Sequence, residues 1–294
     1  MPELPEVETV VRGLRNLLPG RKILEVRFGK TDFVDNPAAV SERASGKRIQ
    51  NIRRHGKFLV FELSAGETSG SEHTAEVDLV VHLGMTGNLK VTDRNADSEP
   101  HTHVFFSLDN GKELRYRDVR RFGRMFVEEH AKSTELAALG ADPLEVNESD
   151  FRKLLSGRRT QIKALLLNQS AFRGMGNIYS DEALWWARIH PRRLASSLKR
   201  DEAGRLFSAM RKVLLQAIES KGSSISDYVD AQGQRGSFQL RHRVYQRTGK
   251  KCSRCGRAIR HSIVAGRSTH FCPRCQRSPR ARKISTRKLH KRAR

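Results

Sequence analysis

Hydrophobic positions follow two different periods along the chain, one in each half. In the N-terminal half, short apolar runs alternate with turn residues, a pattern typical of an antiparallel sandwich or flattened barrel. A helix precedes these runs, because apolar residues recur at three- to four-residue spacing from Val7 to Leu18 and Pro5 stands where a first helical turn tolerates proline. Strands are predicted at residues 23–28, 48–53, 58–63, 77–83, 87–91, 103–108, 113–116 and 124–127.

The period becomes helical in the C-terminal half. Gly140, Pro143 and acidic neighbours mark a linker before it, and a Ser- and Gly-rich segment at 222–239 predicts a mobile loop. Helices are predicted at residues 150–155, 161–168, 177–187, 193–197 and 200–221. The sequence therefore predicts an α+β multidomain protein, with an antiparallel β-sandwich domain at 1–135, a linker at 136–149, a helical domain at 150–242, a cysteine module at 243–277 and a basic tail at 278–294.

Charge is distributed unevenly between the two halves. Residues 1–150 hold 21 Lys/Arg and 25 Asp/Glu, a net of −4, whereas residues 151–294 hold 35 and 7, a net of +28. This asymmetry indicates a polyanion held mainly by the C-terminal half. A membrane surface is the rival partner, but no long basic amphipathic helix with an aromatic-rich face is present, so nucleic acid is favoured.

The chain lacks the sequence features of membrane or secreted proteins. No apolar run approaches the length of a membrane span, and the N-terminus has neither the basic start nor the apolar core of a signal peptide. We therefore expect a cytoplasmic protein with no membrane partner. In that compartment cysteines are more often metal ligands than disulfides.

The four cysteines form two C-x-x-C knuckles separated by 16 residues. Each knuckle can place two thiolates on one ion, and the gap suits a β-hairpin. Four sulfurs close a tetrahedral shell around Zn²⁺ and leave no position for water, so the sequence predicts one structural zinc ion, with redox-active thiols as the alternative. The predicted ligands are Cys252, Cys255, Cys272 and Cys275.

The first residues place a proline beside two carboxylates. Pro2 becomes a nucleophile only once Met1 is removed, and a small second residue is the usual condition for that removal. An α-amine titrates near about 8 and a lysine amine near about 10.4, so a terminal proline is available at neutral pH to form an iminium with a carbonyl-type carbon. Glu3 and Glu6 lie close by in sequence. The alternative is a start codon followed by an acidic helix cap.

Residues 1–10, Met-Pro-Glu-Leu-Pro-Glu-Val-Glu-Thr-Val, resemble the opening of the bacterial formamidopyrimidine-DNA glycosylases, base-excision enzymes that remove oxidised purines. The endonuclease VIII branch of that family opens differently after its proline. The resemblance implies that Pro2 attacks the deoxyribose carbon bearing the damaged base. It also implies that Glu3 donates a proton to the ring oxygen or leaving group, and that Glu6 positions water or the amine.

Further stretches resemble the family's phosphate contacts. His-Gly-Lys-Phe at 55–58 places Lys57 where the family has a lysine that contacts phosphate and helps β-elimination. Residues 174–179 are similar to the second helix of a helix–two-turns–helix element, in which Asn177 and the amides at the helix start face a phosphate. Arg159 aligns with a basic DNA contact. Arg173 departs from the family, which usually has a smaller residue there.

Two stretches resemble the family's tools for replacing an everted base. The turn at 82–87 places Met85 where a methionine fills the gap, and the loop at 118–123 places Arg120 opposite the orphaned base with Phe122 as a wedge in the stack. Without the resemblance, Met85 and Phe122 would be core residues and Arg120 a surface charge. His101 and His103 could suggest a second metal, but no partner ligands are evident, and the resemblance makes His101 a DNA contact.

The segment between the cysteine knuckles resembles the family's zinc finger, a β-hairpin. Its arginine corresponds to Arg267 and is assigned to the lesion phosphates and to δ-elimination, although phosphate anchoring alone would require the same residue. Gln246 stands where the family commonly has Gly, and Lys250 and Lys251 replace a Glu-Pro type pair.

The resemblance therefore implies a bifunctional DNA glycosylase and abasic-site lyase that excises formamidopyrimidines and 8-oxoguanine from double-stranded DNA in base excision repair. It implies that the sandwich domain is catalytic, and that zinc is present while no organic cofactor is needed. We expect a monomer associated with the nucleoid, whose tail adds sequence-independent DNA affinity. The alternatives are specificity for oxidised pyrimidines, a non-catalytic DNA-binding protein, and a zinc-finger RNA-binding protein.

Overall fold

Two four-stranded antiparallel sheets form the N-terminal domain in the computed structural model, which describes residues 1–65, 75–224 and 233–278. One sheet has the order β1-β6-β7-β5 and the other β2-β3-β4-β8, and the sandwich core lies between them. All eight predicted strands are confirmed, mostly with one or two residues more at an end. They are β1 (Ile23–Phe28), β2 (Lys47–His55), β3 (Phe58–Ala65), β4 (Val77–His82), β5 (Gly87–Asp93), β6 (Thr102–Leu108), β7 (Lys112–Asp118) and β8 (Arg124–Glu129).

The N-terminal helix α1 (Leu4–Arg15) joins the sandwich to the helical domain. Val7, Val10 and Leu14 are fully buried in the sandwich core, whereas Leu4 belongs to the core of the helical domain. Burying an aliphatic side chain of this size contributes about 1.5–3 kcal/mol, so α1 is fixed at both ends by packing. The residues before the helix are thereby held at the junction between the two domains.

A second helix, α2 (Pro37–Ala44), lies against the sandwich and was not predicted from the sequence. It is short, and only Val40 and Ala44 are buried, so it has little hydrophobic periodicity. Its start is nonetheless well defined, because the side chain of Asn36 accepts the N–H of Ala39 and Pro37 occupies the first turn.

The remaining helices are α3 (Thr134–Ala137), α4 (Glu148–Leu155), α5 (Ile162–Leu167), α6 (Asn177–Ala187) and α7 (Arg200–Glu219). The helix predicted at 193–197 is wrong: only a 3₁₀ turn forms, at Ala195–Ser197. The hydroxyl of Ser197 donates to the carbonyl of Leu194, and such local bonds compete with a continuing helix.

Ion pairs tie the linker to both domains. The guanidinium of Arg54 on β2 donates to Asp142 at 2.7 Å and to Glu8 at 3.0 Å. Arg173, the departure from the family, points towards the linker and donates to the carbonyl of Gly140 at 3.0 Å. The larger side chain therefore anchors the linker rather than disturbing the loop that carries it.

A two-stranded hairpin, β9 (Arg260–Val264) and β10 (Arg267–Phe271), lies near the end of the described chain and packs against α6. Its turn consists of Ala265 and Gly266 at φ +49° and +69°, the conformation of a tight two-residue hairpin. Much of the predicted mobile loop, residues 225–232, and the tail after residue 278 lie outside the described residues. Within the described ranges, no helix is long and apolar enough to cross a membrane.

Candidate active site and nucleic-acid interface

A cleft of about 900 Å³ opens where the sandwich, the helical domain and the hairpin meet. Three of the predicted site residues lie outside its lining and are exposed: His101, Arg120 and Arg159. The predicted site residues that line it are Pro2, Glu3, Glu6, Lys57, Met85, Phe122, Asn177 and Arg267. The fold therefore gathers residues that are far apart in the sequence around one cleft.

Glu3 is buried between the starts of two helices. Its carboxylate accepts the backbone N–H of Ile178 at 3.0 Å and of Tyr179 at 3.4 Å, at the first turn of α6. Among the amides at the start of α6, the N–H groups of Ile178 and Tyr179 therefore donate to Glu3 and not to a phosphate. Burial raises the pKa of Glu3, and the nearby Lys57 ammonium opposes the rise. A side chain at Gly176 would collide with the Glu3 carboxyl carbon, 2.2 Å from an added Cβ.

Glu6 lies one turn further along α1 and is held by donors from three elements. It accepts the N–H of Glu3 at 2.9 Å, the hydroxyl of Tyr179 at 2.5 Å and the N–H of Ser223 at 2.7 Å. Burial and the neighbouring Glu3 charge nevertheless raise the pKa of Glu6 to about 7. Glu6 can therefore exchange a proton near neutral pH. Gly222 is required beside it, because an added Cβ would lie 2.8 Å from a Glu6 oxygen.

Lys57 follows the tight turn at Gly56 between β2 and β3, and the side chain is buried in the cleft wall. Burial lowers the pKa of Lys57, while the Glu3 carboxylate acts in the opposite direction. A lysine with a lowered pKa gives up its proton more readily than an exposed lysine. It can therefore act both as a phosphate contact and in proton transfer.

His82, which was not predicted as a site residue, also lines the cleft at the end of β4. Its Nδ1 accepts the N–H of Gly84 at 3.1 Å, so Nδ1 carries no proton. Burial and the nearby Lys57 charge lower the pKa of His82 to about 4. The available signal was a polar residue that ends an apolar strand two residues before a glycine turn.

Two apolar side chains at the cleft are exposed, Met85 by 38% and Phe122 by 56%. They are therefore not core residues, which was the interpretation without the resemblance. The guanidinium carbon of Arg120 lies 4.4 Å from the centre of the Phe122 ring. Exposed large apolar groups beside a cationic side chain are suited to entering a base stack.

Buried Asp118 shapes the loop that carries Arg120 and Phe122. Its carboxylate accepts the hydroxyl of Thr86 at 2.5 Å and the backbone N–H of Gly123 at 2.9 Å. The Met85 turn and the Phe122 loop are therefore bonded to the same side chain. The sequence assigned no role to Asp118, because its contacts join two loops that are distant in the chain.

The hairpin that carries Arg267 is hydrogen-bonded to both members of a buried ion pair between α5 and α6. The ammonium of Lys163 lies 2.7 Å from Asp181, and neither side chain is exposed. Lys163 also donates to the Thr269 hydroxyl at 2.8 Å, and Asp181 accepts the N–H of His270 at 2.8 Å. The hairpin is thus held from two sides, and exposed Arg267 at the start of β10 is placed at the cleft.

Glu182 adds a second anchor for the C-terminal module. Its buried carboxylate accepts the backbone N–H groups of Arg243, Val244 and Tyr245, at 2.9–3.0 Å. Such a set of donors satisfies a carboxylate that burial would otherwise destabilise. Sequence spacing carries no sign of the anchoring roles of Asp181 and Glu182, because their partners are distant in the chain.

The four cysteines fit one zinc ion. Their sulfur atoms all lie within 4.8 Å of one another, with 3.5 Å between Cys255 and Cys272 and 4.0 Å between Cys252 and Cys275. A Zn–S bond of about 2.3 Å in a tetrahedron gives sulfur separations of about 3.8 Å. The site is therefore a structural centre for one Zn²⁺. Within the described residues this is the one cluster of metal-ligating groups found, so the possible second metal at His101 has no support.

Comparison with known sequences decides the family. The sequence model of the formamidopyrimidine-DNA glycosylase N-terminal domain matches residues 1–125, and that of the same family's H2TH domain matches residues 139–229. A zinc finger found in FPG and IleRS matches residues 249–277. The chain belongs to the formamidopyrimidine-DNA glycosylase family.

Relatives of this family match nearly the whole chain. A formamidopyrimidine-DNA glycosylase of Solibacter usitatus is 46% identical over 280 residues, which cover 94% of this chain and 100% of the relative. A Lactococcus lactis FPG mutant, solved in complex with Fapy-dG containing DNA, superimposes with a TM-score of 0.85 at 35% identity, covering 94% of this chain and 100% of that chain. MutM in complex with carbocyclic 8-oxo-G containing DNA gives 0.84 at 36% identity, with the same coverage.

Proposed function

We propose that this protein is a bifunctional DNA glycosylase and abasic-site lyase that excises oxidised purines from duplex DNA. The observation that carries the proposal is the cleft, where Pro2, Glu3, Glu6 and Lys57 from the sandwich meet Asn177 and Arg267 from the other modules. The relatives solved with Fapy-dG and 8-oxo-G DNA support the same substrate class.

The first step is nucleophilic displacement of the damaged base. Removal of Met1, whose side chain is half exposed, frees the imino nitrogen of Pro2. That nitrogen attacks C1′ of the sugar, a C–N bond forms, and the glycosidic bond breaks with its electron pair going to the base. Glu3 supplies the proton for the ring oxygen or leaving base, a role favoured by its raised pKa. Glu6, with a pKa of about 7, positions water or takes up the proton that Pro2 releases.

The second step is cleavage of the DNA strand. The C1′–O4′ bond then breaks with its electron pair going to the protonated ring oxygen, which opens the sugar and leaves an iminium at C1′. The iminium acidifies the C2′ proton, whose loss expels the 3′ phosphate by β-elimination, and δ-elimination then expels the 5′ phosphate. Lys57, with its lowered pKa, assists the proton transfer and contacts phosphate. Arg267 balances the charge of the lesion phosphates from the hairpin. The iminium itself accepts the electrons, so no organic cofactor is required.

The cationic C-terminal half supplies most of the contacts to DNA. We assign phosphate contacts to Asn177, Arg159 and His101, and add His82, because it lines the cleft with a neutral imidazole that can donate. Met85, Arg120 and Phe122 enter the stack while the lesion leaves it. The zinc ion holds the hairpin and takes no part in the chemistry.

The remaining assignments extend this proposal. The sandwich domain at 1–135 carries the chemistry, the linker at 136–149 joins it to the DNA-binding domain at 150–242, and the zinc finger and tail follow at 243–277 and 278–294. The protein acts as a monomer on nucleoid DNA in the cytoplasm. The tail adds affinity that depends on salt and not on base sequence.

A nicking assay on defined duplexes tests the function. Separate duplexes contain a formamidopyrimidine, 8-oxoguanine, an oxidised pyrimidine or no lesion. We expect strand cleavage on both sides of the purine lesions, and a large loss with Pro2→Gly, which keeps a terminal amine but not a secondary one. Faster cleavage at the oxidised pyrimidine would show the alternative specificity. Binding without cleavage would indicate a non-catalytic DNA-binding protein, and preference for duplex RNA would contradict the proposal altogether.

A further inference from the structure

A line of polar groups runs from Glu6 to His242, a buried residue that the mechanism above does not use. The hydroxyl of Tyr179 donates to Glu6 at 2.5 Å and lies 3.4 Å from the hydroxyl of Ser223. The Ser223 hydroxyl lies 3.1 Å from Nε2 of His242. Four side chains therefore form one continuous chain of hydrogen-bond contacts that ends on a carboxylate of the cleft.

The number of protons fixes the direction of this chain. Each hydroxyl carries one proton, and that of Tyr179 is given to Glu6. The Ser223 hydroxyl must then donate to the oxygen of Tyr179, and Nε2 of His242 must donate to Ser223. Burial lowers the pKa of His242 to about 4, so the imidazole is neutral with its proton on Nε2. Every donor in the chain points towards Glu6.

His242 also lies beside Ser223 and Ser224, the residues that follow α7 and Gly222. Ser223 directly follows Gly222, and Ser224 donates its N–H to the side chain of Gln239, in the 3₁₀ turn Phe238–Arg241 just before His242. The Phe238 ring packs 5.6 Å from the imidazole, which holds the imidazole in place. The same contacts therefore fix the imidazole and the start of the segment that follows α7.

Several charged or titratable groups surround the two ends of the chain. Glu3 on α1, Lys57 between β2 and β3, and Tyr179 on α6 face Glu6. Arg247, beyond the 3₁₀ turn, faces His242 and opposes its protonation. The groups around Glu6 also shift its pKa, and replacing His242 leaves all of these groups in place.

We propose that His242 is a positioning residue, which holds the hydroxyls of Ser223 and Tyr179 so that both donate towards Glu6 and stabilise its ionised form. The consequence for catalysis rests on the proposed function, whereas the effect of His242 on Glu6 is a property of the protein without DNA. Aligned hydroxyls polarise one another, so loss of the His242 donor weakens the stabilisation of the Glu6 carboxylate three hydrogen bonds away. The chain therefore keeps a larger fraction of Glu6 ionised, and so able to accept a proton from the Pro2 amine.

The direct test is a ¹³C NMR titration of the Glu6 side-chain carboxyl in the free, zinc-loaded protein, assigned with Glu6→Gln. In His242→Leu the terminal donor is absent, and we expect the Glu6 pKa to rise by about half a unit or more. In His242→Gln an amide N–H can replace Nε2–H, and we expect the wild-type value to be retained. A rise of half a unit lowers the ionised fraction about threefold on the acid side. The acid limb of the excision rate should move by the same amount.

An unchanged Glu6 titration in a folded, zinc-loaded His242→Leu protein would overturn the proposal. Should that variant not fold, Ser223→Ala provides the same test, because it removes the central hydroxyl and keeps the backbone N–H to Glu6. There too the pKa of Glu6 must rise, and an unchanged value refutes the chain. Failure of the proposed function is distinguishable, because the titration needs no DNA and wild-type protein would then nick no lesion duplex.

Discussion

The carboxyl carbon of Glu3 lies 2.2 Å from the position that a Cβ would occupy at Gly176. The backbone of the α6 start therefore approaches the Glu3 carboxylate more closely than any residue with a side chain allows. Glycine at this position is explained by the contact itself, since the Glu3 carboxylate must reach the N–H groups of Ile178 and Tyr179.

Gly176→Ala is accordingly expected to displace Glu3. The rate of base excision should fall by about 100-fold or more, because a positioned proton donor contributes a rate factor of that size. The measurement is single-turnover release of 8-oxoguanine from a duplex. Gly204→Ala in α7 is the matched control, because the nearest atom to its added Cβ is the flexible end of Glu148 at 3.1 Å. A Gly176→Ala enzyme as fast as the control would contradict this placement of Glu3.

Asp181→Asn is expected to reduce both stability and excision. The substitution leaves the ammonium of Lys163 buried without a charge partner, and breaking such a pair costs about 3–5 kcal/mol. It also loosens the hairpin that carries Arg267. Denaturant unfolding and excision rates are to be compared with Asp201→Asn, which breaks an exposed pair with Arg205 on α7 and should leave both unchanged. Equal stability of the two variants would argue against the buried anchor.

The pH dependence of excision should reflect two groups on its acid side. The pKa of Glu6 is raised to about 7, so its ionised form is lost as the pH falls through that value and not near the usual 4.5. The Pro2 amine, at about 8, loses its neutral form over the same range. The logarithm of the wild-type rate should fall with a slope approaching two, and that of Glu6→Gln with a slope of one. Glu8→Gln on the same helix is the control and should keep the slope of the wild-type protein. A slope near two in Glu6→Gln would refute the role of Glu6.

Removal of zinc should release the hairpin and abolish excision. Trp185 packs against Cys252 in the small core around the metal site, and the guanidinium of Arg254 lies 4.0 Å from its ring. Chelation is therefore expected to shift tryptophan emission to longer wavelength as excision is lost, and added zinc should restore both. The emission shift should be much smaller in Trp185→Phe. Full excision by metal-free protein would show that the four cysteines are not structural.

Features with a local cause were predictable from the sequence. The eight strands follow from short apolar runs between turns, and the metal site follows from two knuckles at a fixed spacing. Helix α2 was not predicted, since its buried face consists of Val40 and Ala44 alone. The ion pair between Lys163 and Asp181 and the contact of Glu3 with α6 join residues that only the folded chain brings together. No periodicity records such contacts, so they were found only in the structure.

The central claim is that the imino nitrogen of Pro2 bonds to the sugar of the lesion nucleotide. Borohydride reduction during turnover on an 8-oxoguanine duplex, followed by proteolysis and mass spectrometry, measures this directly. We predict that the reduced DNA adduct is attached to Pro2 of a chain that has lost Met1. Lys57→Met should still form the adduct at Pro2. An adduct on Lys57, or active protein that retains Met1, would contradict the account.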